Sequence, residues 1–137
     1  MEILFRGIPS RKKDRATLSA FNDSFVYGYA CGLNQKPDHI FTVLSEIVPV
    51  FSKTITQYTG ARDAVGKMIF DGDILEYDYD GEKYLVEVYF NDITCAFCIR
   101  DVGYSYGECI DFVKECKIVG NVFENPELLK KPIEGVK

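Results

Sequence analysis

From Lys67 onward the chain alternates apolar and polar residues with a period of two, which places one set on each face of an extended strand. Met68-Ile69-Phe70 predicts a short strand and Asp71-Gly72 a turn. Asp73 to Tyr79 follows as a strand with Leu75, Tyr77 and Tyr79 on one side. Asp80-Gly81 is the dipeptide of a tight hairpin, and Tyr84 to Phe90 returns with Tyr84, Val86, Val88 and Phe90 alternating. Asn91-Asp92 turns into Ile93 to Ile99, and Cys116 to Phe123 supplies one more strand. Short strands joined by tight turns in this number make a five-stranded SH3-like barrel.

Upstream the pattern is less regular. Met1 to Ile8 reads as a first strand that Pro9-Ser10 ends, and Ser24 to Leu33 as a second, with Phe25, Tyr27 and Tyr29 on one face and Gly28 marking a bulge or a close approach. Residues 10–20 suit a short helix or an ordered loop equally. Asn34 to Asp38 is a turn by composition, and Ile40 to Val48 is a return strand whose helical alternative rests on Ile40, Val43, Leu44 and Ile47. At the other end Asn125, Pro126 and Glu127 are good N-cap, first-turn and N-terminal residues for a short helix carrying Leu128 and Leu129. The expected fold is mainly β and α+β overall. An N-terminal α/β portion (1–56) packs on a barrel (57–129) with a short C-terminal helix, and 130–137 is a flexible tail.

Composition narrows the functions. The 137 residues suit one domain, and apolar residues at 47% against 27% charged can build a core. A net charge of −5 works against general nucleic-acid coating, whose affinity comes from Lys and Arg displacing counterions. The charge is uneven. Arg6, Arg11, Lys12, Lys13 and Arg15 crowd the start, whereas Asp71, Asp73, Glu76, Asp78, Asp80, Glu82, Glu87 and Asp92 face Lys83 alone. No run approaches the roughly 18 apolar residues of a membrane helix, and no secretory leader is seen, so a cytoplasmic protein with free thiols at Cys31, Cys95, Cys98, Cys109 and Cys116 is expected.

Four patterns imitate chemistry. Gly60 to Lys67 nearly spells a phosphate loop, but five residues separate Gly60 from Gly66 and Met68 stands where a hydroxyl should meet Mg²⁺. Gly60, Gly66 and Gly72 read better as hinges with positive φ. Glu76, Asp78, Asp80, Gly81 and Glu87 follow calcium-loop spacing on what is a hairpin rather than a helix pair. Cys95-Ala-Phe-Cys98 lacks a second pair for zinc, and His39, the sole histidine, has no triad motif beside it; a pocket joining it to Asp or Cys would speak for an enzyme. No cofactor, metal or catalytic residue is therefore expected.

Three stretches together resemble the YopX family of small phage and prophage proteins: Ile3-Leu4-Phe5-Arg6; Gln57-Tyr58-Thr59-Gly60 through Gly66-Lys67 to Asp71-Gly72-Asp73-Ile74; and Ile118 to Leu129. Val26-Tyr27-Gly28 fits as well. The resemblance implies an SH3-like barrel joined to an N-terminal portion and a phage context, and it implies no activity. The expected role is a non-enzymatic accessory protein working through protein contacts with phage or host proteins and through a homo-oligomer, because Tyr77, Tyr79 and Tyr89 cannot all fit inside a small barrel. The alternatives are a nucleic-acid regulator using Arg6, Arg11, Lys12, Lys13 and Arg15 on one small face, and an acidic decoy of a host DNA-binding protein using residues 71–92.

Overall fold

The computed structural model describes residues 3–32, 37–42, 44–101, 108–109 and 115–129, and the chain divides into two compact units, 1–58 and 59–137. The first contains β1 (Phe5–Gly7), α1 (Lys12–Ser19), β2 (Val26–Cys31), β3 (His39–Thr42), β4 (Ile47–Pro49) and a 3-10 turn at Ser52–Thr54. Strand β5 (Thr56–Arg62) begins in it and runs on into the second unit.

β2 lies antiparallel between β1 and β3, with Gly28 opposite both Phe5 and Thr42 and with Tyr29 opposite Phe41. β4 continues the sheet through Ile40↔Val48, and Thr56 of β5 pairs with Arg6 on the other side of β1. This sheet rolls up. Ser10 N–H donates to Pro49 O and Phe51 N–H to Ile8 O, both at 2.9 Å, so the chain just past β1 meets the chain at β4, three strands away. Thr54 secures the seam by donating to Phe51 O at 2.6 Å and accepting from Ile8 N–H at 2.8 Å. Ile40, Val48 and Val50 are buried on the inner face. A Cβ at Gly28 would stand 1.9 Å from Phe41 O, so the predicted close approach is real and only glycine fits it.

The second unit adds β6 (Met68–Phe70), β7 (Asp73–Tyr79), β8 (Glu82–Asn91), β9 (Ala96–Asp101), β10 (Glu108–Cys109), β11 (Lys117–Asn121) and a 3-10 turn at Pro126–Leu129. Asp80 (φ 53°) and Gly81 (φ 82°) close the β7–β8 hairpin, both with the positive φ of a type I′ turn. Its core is Ile69, Leu75, Val86, Val88, Ile99 and Cys116, with Ala61, Tyr77 and Ile118 packed around it. Hydrogen-bonded neighbours run β4-β3-β2-β1-β5-β6 in one antiparallel sheet and β10-β9-β8-β7-β11 in the other.

The chain is therefore mainly β, as expected, and among the described residues there is one α-helix, but the ladders form two sheets and no closed barrel. The expected return strand 40–48 is two strands, because Ser45 (φ 63°) turns the chain, its N–H bonded to Thr42 O. Ile93 is not in a strand: Asn91 Oδ1 accepts from the N–H groups of Ile93 and Thr94, and Cys95 (φ 56°) completes the turn before Ala96. The C-terminal helix is a single 3-10 turn, and the Asn125 side chain accepts from Asn121 N–H instead of capping it. Residues 130–137, the expected tail, lie outside the described residues.

Candidate interaction surface

The stretch that imitates a phosphate loop brings its own anion. Asp63 is buried at the end of β5, and its carboxylate accepts from the N–H groups of Val65 (3.0 Å), Lys67 (2.8 Å) and Ile118 (3.1 Å). Burial by itself raises the pKa of this carboxyl, but those three donors and the Lys67 charge outweigh it and hold the group below its usual value. Backbone amides that a phosphate would need are thereby occupied. Arg62 donates to Gly66 O at 2.8 Å, which closes the loop from outside, and the positive φ of Gly60, Gly66 and Gly72 agrees with the hinge reading.

The acidic hairpin is likewise organised by its own pairs. Lys83 Nζ lies 3.2 Å from Glu76, across an exposed part of β7–β8, and Arg100 Nε lies 2.9 Å from Glu87 while its guanidinium covers the Tyr89 ring at 4.2 Å. Among the described residues no group of three His, Cys, Asp or Glu gathers as a metal site. Cys98 and Cys116 are buried, and Cys95 is exposed in the turn. Burial, helped by Glu115 and Asp63, pushes the Cys116 thiol up to about 11, which leaves it unreactive at neutral pH.

The five basic residues near the start do not form one face. Arg6 is buried with its guanidinium 4.0 Å above the Phe25 ring. Arg15 turns inward to donate to Pro9 O and Ser10 O, and Arg11 pairs with Asp14 at 2.7 Å. Lys12 and Lys13 are exposed on α1.

A different surface stands out on the outer face of the first sheet. Tyr29, Phe41 and Ile47 sit side by side across β2, β3 and β4, and they are 64%, 44% and 61% exposed. Leu44, at the tip of the β3–β4 turn, is 77% exposed. The next row on that face is Cys31, His39 and Pro49, and His39 Nδ1 lies 2.7 Å from Asp38 Oδ1. Sequence reasoning sought the exposed aromatics elsewhere, in Tyr77, Tyr79 and Tyr89. Tyr77 instead packs on the second core and stacks on Tyr84 (5.4 Å), and Tyr89 is half-buried beneath Arg100; the Tyr79 side chain lies outside those described. The sequence places Phe25, Tyr27 and Tyr29 on one face of an extended segment, but Phe25 is buried, Tyr27 is half-buried and only Tyr29 is largely exposed, a difference that the alternation does not carry.

A mainly β chain of two sheets with one helix, its loops occupied by internal carboxylates, defines a class of small β-rich protein by fold alone. Within it the chain belongs to the YopX family, whose model, described as YopX protein, matches residues 5–130. In structure it is similar to protein EF1440 from Enterococcus faecalis, with 21% identity over 95% of this chain and 99% of that one and a TM-score of 0.59, a likeness in fold. No curated protein matches the chain. Among the described residues no helix is long and apolar enough to cross a membrane.

Proposed function

We propose that this YopX-family protein is a non-enzymatic phage or prophage accessory protein of the host cytoplasm that acts through protein contacts, with a second copy of itself as the occupant of the outer face of β2–β4. The observation that carries the reading is the in-register apolar row Tyr29, Phe41 and Ile47, because contiguous exposed apolar side chains on a sheet face favour a partner where scattered ones do not. The five-stranded sheet of the second unit is, in this reading, an opened relative of the SH3-like barrel. Self-association also suits an acidic chain that coats nucleic acid poorly.

Magnitudes set the expected strength. Each of these half-exposed side chains gains about 1 kcal/mol when covered, so a two-fold pair gains roughly 6 kcal/mol from this row, against an association cost of at least about 4 kcal/mol. The row alone therefore supplies at most about 2 kcal/mol net, a Kd of tens of millimolar, so a dimer seen at millimolar concentration must also cover neighbours such as the exposed Leu44. Light scattering across a concentration series should show a rising mass for the wild type and a constant monomer mass for the variant Tyr29→Ser/Phe41→Ser/Ile47→Ser, with circular dichroism confirming that the variant is folded. A strict monomer for the wild type at millimolar concentration would remove the self-association reading.

A further inference from the structure

The row beside the apolar patch combines a thiol, an imidazole and a carboxylate. Cys31 and His39 are directly opposite in the β2–β3 ladder, so their side chains leave the same face with Cβ atoms about 5 Å apart. His39 is held by Asp38, whose Oδ1 is 2.7 Å from Nδ1, and both side chains reach solvent, at 36% and 53% exposure. An acceptor on Nδ1 keeps the proton on that nitrogen in the neutral ring and leaves Nε2 as the base. Cys31 is half-buried, and it borders a hollow shared with Phe5, Ala30, Ser52 and Ile55. On the β4 side His39 faces Pro49, which carries no charge.

The geometry points to Cys31 as a stoichiometric thiol-exchange site, with His39 as its base and Asp38 as the residue that positions His39, and with disulfides as the ligand class. Cys31 and His39 share a register position on one sheet face, and apo distances between nucleophile and base are commonly longer than working ones. In the step, Nε2 takes the Cys31 proton and the thiolate attacks one sulfur of the disulfide. The new Sγ–S bond forms as the S–S bond of the reagent breaks, and the second sulfur leaves as a thiolate with the electron pair. One thiol and one disulfide enter, one mixed disulfide and one thiol leave, and no outside oxidant is needed.

Exposure alone ranks the cysteines differently, because Cys95 is exposed, Cys31 is half-buried, and Cys98 and Cys116 are buried. The full chain, kept dilute enough to be monomeric, is treated with 5,5′-dithiobis(2-nitrobenzoate) between pH 5.5 and 8.5, quenched, and mapped by peptide mass spectrometry. Cys31 should react faster than Cys95 below pH 7, by about tenfold, with a rate that falls more slowly on acidification than that of Cys95. His39→Gln should bring the Cys31 profile down to that of an ordinary thiol and leave Cys95 unchanged, and Asp38→Asn should give an intermediate profile. A Cys31 rate at or below that of Cys95 in the wild type, or one unaltered by His39→Gln, would overturn the assignment. Neither result depends on whether the neighbouring row dimerises.

Discussion

At the scale of single residues, Asp63 does the work that a phosphate would do in a true phosphate loop. Its depressed folded pKa lies below the ordinary value of 3.8, so the ionised form is favoured in the folded state. Stability from this group is fully present above that ordinary value and is lost as pH falls through the folded pKa. Asp63→Asn keeps one acceptor oxygen for Val65 and Lys67 but turns an amide NH₂ toward the Ile118 N–H, at a cost of about 1–3 kcal/mol at pH 7. Urea unfolding at pH 7 and at intervals below pH 4 should show the difference between wild type and variant shrinking as the medium becomes acidic. A difference independent of pH would mean that the charge of Asp63 contributes nothing.

At the scale of elements, two glycines separate steric demand from conformational demand. A side chain at Gly81 meets nothing within 4 Å, so Gly81→Ala carries only the cost of positive φ, about 1 kcal/mol. Gly28→Ala puts a methyl into the Phe41 carbonyl and must push β2 away from β3, for a loss of about 3 kcal/mol or more. Denaturant midpoints should rank wild type, Gly81→Ala and Gly28→Ala in descending order. Equal losses would refute the close packing of β2 on β3. The hairpin strands were readable in the sequence because Asp80-Gly81 and the alternation around it are local signals. The two-strand form of residues 39–49 was not, since its turn depends on Ser45 taking a positive φ that no glycine announced.

For the whole molecule, the net charge of −5, the burial of Arg6 and the inward bonds of Arg15 leave Lys12, Lys13 and the Asp14-paired Arg11 as the exposed cations of the N-terminal segment. Fluorescence anisotropy with a labelled 20-base-pair duplex should therefore detect no binding at 150 mM salt and micromolar protein. Tight binding that weakens steeply with added salt would return the nucleic-acid reading to first place. The five basic residues looked like one site because they are close in sequence. They differ in fate because β1 buries Arg6 whereas α1 displays its lysines.

Local chemistry was enough for the mainly β composition, the turns at Asp71-Gly72 and Asp80-Gly81, the glycine hinges and the family membership, because each rests on the conformational limits of neighbouring residues or on a contiguous motif. Which face of β2 is outside, which carboxylate fills the Gly60–Lys67 loop, and that Cys31 stands opposite His39 were decided by pairing between residues distant in the chain. Strand alternation defines two faces but not which is buried. That choice is made only when the sheet rolls and covers Ile40 and Val48, leaving Tyr29, Phe41 and Ile47 to solvent.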